Sequence, residues 1–166
     1  MSNTFARAAA IAALTAIAAA GPASATSWED YSQLTTSDAI QITSPDVHDA
    51  QMLRTVSVVC PTDGYVVATA DSGFDYYPTS VPGVAAYGYS ITRDTSAPYE
   101  ADQKHWRNVS IPLNAGQIWS SGMLQRADTC TAGQTMTFRF VAFNYGGGSF
   151  YAQQPRMTVR FFDQRI

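Results

Sequence analysis

Two carboxylates and five aromatic rings sit where turn residues interrupt this sequence, and these are the side chains that could do chemistry. Asp71-Ser72-Gly73-Phe74-Asp75 places two acids around a glycine just after a β-branched run. All-oxygen chemistry of that kind could hold calcium, but the third acidic position and terminal Glu of a calcium loop are missing, so solvated turn carboxylates are the plainer reading and no metal is assigned. Tyr76 and Tyr77 follow directly, and Tyr145, Phe150 and Tyr151 flank Gly146-Gly147-Gly148. Tyrosines in loops offer large contact area at small entropic cost, and a glycine run can be reshaped around a partner. The candidate ligand contacts are therefore Asp71, Asp75, Tyr76, Tyr77, Tyr145, Phe150 and Tyr151, with Tyr99 in a further connection. The alternative is that these rings cap the ends of a sandwich or pack under their own loops.

A second polar group, Glu100, Asp102 and His105, precedes Trp106. A carboxylate with an imidazole can do acid/base work when the two converge. A small exported hydrolase pairing Asp71 or Asp75 with Glu100 or His105 is thus the alternative to a non-enzymatic binder. The sequence has no G-x-S-x-G elbow, no H-E-x-x-H and no serine in a recognisable nucleophile context, so no catalytic residue and no cofactor is assigned. Asn108-Val109-Ser110 is a glycosylation sequon, which matters only where exported chains are glycosylated.

The elements that must position these groups follow a leader. Met1 to Ala25 carries one cation, Arg7, then the apolar run AAAIAALTAIAAA, and ends on small residues as an export signal does. Residues 26–50 read as a polar N-terminal arm with a short strand at Ala39 to Thr43, and residues 51–166 as one β-sandwich domain. Strands are expected at Thr55 to Cys60, Tyr65 to Ala70, Ala85 to Thr92, Trp106 to Leu113, Gln134 to Phe143 and Met157 to Phe162, separated by glycine-bearing turns. Alternation assigns the faces. Met136, Phe138, Phe140 and Ala142 oppose Thr137, Arg139 and Val141, while Met157, Val159 and Phe161 oppose Thr158 and Arg160; the apolar sets, with Val58, should be core. Trp106 and Trp119 lie in strand-like segments and read as core or edge packing. The fold class is all-β, an antiparallel sandwich or barrel by this spacing, with the sandwich preferred.

Export places Cys60 and Cys130 in an oxidising compartment, secreted or periplasmic, and both stand at strand ends beside turns, so one disulfide is expected. Closing a loop of about 70 residues would stabilise the fold by roughly 4 kcal/mol in the chain-entropy model.

Charge narrows the partners. Lys and Arg number 10 against 13 Asp and Glu, a formal net charge of -3, and the arginines are scattered singly. A binder of phosphate backbones needs clustered cations, so nucleic acid is not expected. Val109-Ser-Ile-Pro-Leu-Asn-Ala-Gly-Gln-Ile-Trp119 resembles the strand, turn, strand of a complement-C1q or tumour-necrosis-factor type jelly roll, and Gly64-Tyr65-Val66-Val67-Ala68 is similar to that family's glycine-then-aromatic strand. The resemblance implies a jelly roll. Here the tyrosine follows the glycine directly and the family's closing Gly-aromatic-Leu strand is missing, so a homo-oligomer is left open and no functional residue carries over. The leading reading is an exported sandwich that binds a protein, surface or glycan through loops at one end. A third reading, a small outer-membrane barrel, is opposed by Pro78, Pro82, Pro98 and Pro112 and by short strands, so no stable membrane insertion is expected.

Overall fold

Alternating, β-branched and aromatic segments do form strands here, and their pairing is nested. The computed structural model describes residues 27–33, 39–78, 85–94, 107–111 and 116–163, with backbone alone at 27–33, 85 and 111. The expected leader and Tyr99, Glu100, Asp102, His105 and Trp106 lie outside the described residues. In chain order the strands are β1 (Ser27–Gln33), β2 (Ile40–Ile42), β3 (Gln51–Val59), β4 (Gly64–Pro78), β5 (Ala85–Arg93), β6 (Arg107–Ile111), β7 (Ile118–Cys130), β8 (Thr135–Asn144) and β9 (Gly148–Asp163). Among the described residues a 3-10 turn, Val47–Asp49, precedes β3.

The innermost pair is β5 with β6; around it β4 pairs with β7, β3 with β8, and β2 with β9, all antiparallel. That is one long hairpin rolled up, the pairing order of a jelly roll. Rolling brings β4 beside β9 and β5 beside β8, and splits the strands between two sheets. Sheet A runs β1-β9-β4-β7 with β2 also on β9, and sheet B runs β3-β8-β5-β6. β1 was not anticipated; it and β2 line the same edge of β9 one after the other. The sequence signals β7 only at its start, around Trp119.

The core lies between the sheets, and the expected faces are the observed ones. Val58, Met136, Phe138, Phe140, Ala142, Met157, Val159 and Phe161 are all buried. Thr137, Arg139, Thr158 and Arg160 point away. Val141 points outward as expected yet is covered, because it joins Phe143 and Ala50 in a small apolar cluster closed by Val47. Apolar side chains directed inward are the reverse of a membrane barrel, whose lipid-facing band must be apolar.

Cys60 and Cys130 are bonded, with Cα atoms 6.3 Å apart at a sequence separation of 70. They stand at the same end, in the crossings from β3 to β4 and from β7 to β8. Main-chain bonds reinforce the junction: Cys60 N donates to Gln134 O at 2.9 Å and Gly133 N donates to Cys60 O at 2.7 Å.

One irregularity decides what faces outward at the other end. Opposite Asp71 and Gly73 of β4 stand Arg156 and Gln153 of β9, so β9 carries one extra residue there. The bulge contains Gln154, at φ 46, and Pro155, which has no N–H to offer a ladder. An inserted residue shifts the side-chain period by one. Met157 faces the core on one side of it and Ala152 and Phe150 on the other, while Gln153 and Tyr151 turn outward.

Candidate functional site

The segment read as an acidic loop is strand. β4 continues without a break from Gly64 to Pro78, pairing with β7 on one side and β9 on the other. Its apolar face, Val66, Ala68, Ala70, Phe74 and Tyr76, is buried, which leaves Asp71, Gly73, Asp75 and Tyr77 on the outer face of sheet A. Four residues of strand separate the two carboxylates by about 13 Å, too far to share a cation. Among the described residues no group of three His, Cys, Asp or Glu side chains could hold a metal ion. Asp71 instead stands 3.9 Å from Arg156, both about half exposed.

Asp75 is the unusual residue of this face. It is 1% exposed although it points away from the core. Its main-chain neighbours across the ladders are Trp119 on β7 and Tyr151 on β9. Gln153 Nε2 donates to Asp75 Oδ2 at 2.5 Å, while Asp75 Oδ1 has no hydrogen-bond partner among the described residues. A buried carboxylate oxygen without a donor is costly.

Beside that carboxylate, outside the Gln153 side chain, the face opens into a shallow pocket of about 340 Å3, lined by Ala39, Tyr77, Ser149, Tyr151 and Gln153. The rings of Tyr77 and Tyr151 meet edge to face with centroids 5.7 Å apart. Gln117 Nε2 donates to the Tyr77 hydroxyl at 3.0 Å. The Gln153 amide is held with its nitrogen toward the carboxylate, which leaves the amide oxygen as an acceptor for a ligand. Trp119, 68% exposed, adds a third ring on the far side of β4, about 10 Å from Tyr151 across two strand spacings. Aromatic faces with hydroxyl and amide groups at fixed places can cover an apolar ring face and bond its polar edge.

The other expected contacts are elsewhere. Tyr76 and Phe150 are buried in the core, where Phe150 stacks on Tyr87 at 4.1 Å and Phe74 at 5.3 Å. Neither is offered to a partner. Tyr76 donates its hydroxyl to Gly146 O at 2.8 Å, and burial raises its phenol above the ordinary value of 10.0. The glycine turn is correspondingly pinned rather than loose: Gly146 N donates to Asn144 Oδ1 at 3.1 Å and Asn144 Nδ2 to Gly148 O at 3.0 Å. Gly146 and Gly147 serve it through φ of 100 and 79, which other residues rarely adopt. Tyr145 is exposed but packs on Phe143, 4.8 Å between centroids, on the outside of sheet B and away from Tyr77.

The structure thus brings together Asp75, Tyr77 and Tyr151 of the expected set. It adds Gln153, Ser149, Ala39, Gln117 and Trp119, which sequence reasoning missed. Two signals bore on them. Pro155 inside a strand-like run marks a bulge, and Trp119, Ser121, Met123 and Gln125 alternate with Ile118, Ser120, Gly122 and Leu124.

No family model and no curated protein matches the chain. Among solved structures it is similar to the Eiger TNF of S. frugiperda, at 14% identity over 86% of this chain and 94% of that one, with a TM-score of 0.39. A second similarity is to the C-terminal domain of EclA, described as a sugar-binding protein, at 14% identity over 74% of this chain and 78% of that one, with a TM-score of 0.37. At these scores neither likeness assigns a function or a partner.

Proposed function

We propose that this chain is an exported, non-catalytic domain that binds a carbohydrate on the outer face of sheet A, with Tyr77, Tyr151 and Trp119 as the platform and Gln153, oriented by Asp75, as the polar contact. The observation that carries this reading is the Tyr77–Tyr151 pair beside an amide whose direction a buried carboxylate fixes. Sugar rings present apolar C–H faces and hydroxyl edges, and this pocket offers aromatic surface for the first and Ser149, Gln153 and two phenols for the second. The site stands on strands, which hold its groups in place more firmly than loops do. Export is supported by the cysteine pair, since such bonds persist in oxidising compartments.

A glycan array probed with the purified chain tests the reading. Binding to one glycan class is expected, and Tyr77→Ala with Tyr151→Ala should abolish it while the protein stays folded. Retained binding by that double variant, or binding lost instead on Tyr145→Ala, would move the site.

A further inference from the structure

We infer that the carbohydrate taken by this pocket carries an ammonium group, as an unacetylated amino sugar does. The inference rests on the carbohydrate reading of the same site and names its ligand class. Its ground is Asp75. A carboxylate that is 1% exposed normally has a cation or several donors around it; here one oxygen has the Gln153 amide and the other has nothing among the described residues. Buried charge is tolerated when paired and is costly when it is not. The cation two rows along the face, Arg156, stands beside Asp71 instead. The site is therefore short of one positive charge.

Its surroundings fit the same ligand. Cations are drawn to the faces of Trp and Tyr rings, and Trp119 and Tyr151 flank Asp75 on either side with Tyr77 next along the strand. Gly73 leaves the position on the other side of Asp75 without a side chain. Gln153 both lines the pocket and bonds the carboxylate, so Asp75 lies one side chain behind the pocket wall. An ammonium that displaces the Gln153 amide meets the carboxylate directly and supplies the missing charge. A neutral sugar has only the amide oxygen and the hydroxyls to bond.

Three oligosaccharides of equal length and β-1,4 linkage separate these cases in titration calorimetry: glucosamine, N-acetylglucosamine and glucose. The glucosamine oligomer should bind about tenfold or more tighter than the other two, the range expected for a hydrogen bond to a charged group. Asp75→Asn keeps the shape and an acceptor for Gln153 but removes the charge. It should erase the preference, bringing the glucosamine oligomer down to the level of the neutral ones, and melt no lower than the parent because an uncompensated charge has gone. Gln153→Ala should sharpen the preference by opening the path to the carboxylate. Equal binding of all three oligomers would overturn the inference and leave the carbohydrate reading standing. So would a preference that survives Asp75→Asn, or a marked loss of stability in that variant, which would mean the carboxylate already has its counter-charge. Absence of binding to these oligomers and to every glycan on the array would remove both readings.

Discussion

The two halves of sheet A, on either side of the β9 bulge, use the same three strands differently. Toward the disulfide the pattern is regular: Val66, Ala68, Val159 and Phe161 face the core and Tyr65, Arg160 and Phe162 face out, in unbroken register. The chain crossings there are held by the Cys60–Cys130 bond and by paired main-chain groups. Beyond the bulge the core becomes a stack of aromatic rings, Phe74, Tyr87, Tyr89 and Phe150, with Phe74 and Tyr89 centroids 4.6 Å apart. On the outside of that half stand the pocket and its buried carboxylate. The difference teaches that one inserted residue, by shifting the period, put an amide and a tyrosine where regular alternation would have put core, and core where it would have put Phe150 outside.

Truncations break the comparison most strongly. Phe161→Ala in the regular half and Phe150→Ala beyond the bulge should each cost about 3 to 5 kcal/mol in denaturant unfolding, since both rings are fully buried. If Phe150→Ala cost less than about 1 kcal/mol, the ring would belong to a surface loop and the face shift would be wrong. Replacing both Cys60 and Cys130 by Ala should cost about 2 to 4 kcal/mol. That loss should leave ligand binding unchanged in whatever protein remains folded, because the bond lies in the other half.

A titration sharpens the contrast further. Burial raises the phenols of Tyr76, Tyr87 and Tyr89, and for Tyr87 a hydrogen bond with Ser120 works against the rise. Folding favours the protonated phenol, so this contribution is complete below the ordinary value of 10.0 and is lost as pH rises through the higher folded values. Absorbance of phenolate should therefore appear late for these rings and together with unfolding. Early ionisation of all tyrosines in the folded protein would contradict their burial. The smallest stability effect belongs to the pocket itself: Tyr151→Ala should change unfolding free energy by under about 1 kcal/mol while weakening binding about tenfold or more.

Much of the regular half was legible in the sequence because it obeys one period. Met157, Val159 and Phe161 against Thr158 and Arg160 could be read directly, and so could the cysteines beside their turns. The antiparallel sandwich was legible too, from turn spacing and the apolar strands, and its jelly-roll form from the resemblance carried by residues 109–119. The pocket half was not. Asp71 to Asp75 looks like a loop because Asp, Ser and Gly are poor strand formers, yet β7 and β9 hold it extended from both sides. Pairing between segments far apart in sequence overrode local propensity. Phe150 and Tyr151 read locally as loop rings beside the glycines, whereas a strand sends adjacent side chains to opposite faces, one to the core and one to the pocket. Asp75 stands out in the sequence as an acid beside tyrosines, but only its register between Trp119 and Tyr151 places it buried on the outer face.

Calorimetric titration of the glucosamine oligosaccharide into the parent protein and into the Tyr77→Ala/Tyr151→Ala variant, with thermal melts of both, tests the central claim most directly. The account predicts binding by the parent and a loss of about tenfold or more in the variant, with melting temperatures within a few degrees of one another. A variant that stays folded and binds as the parent does would contradict it.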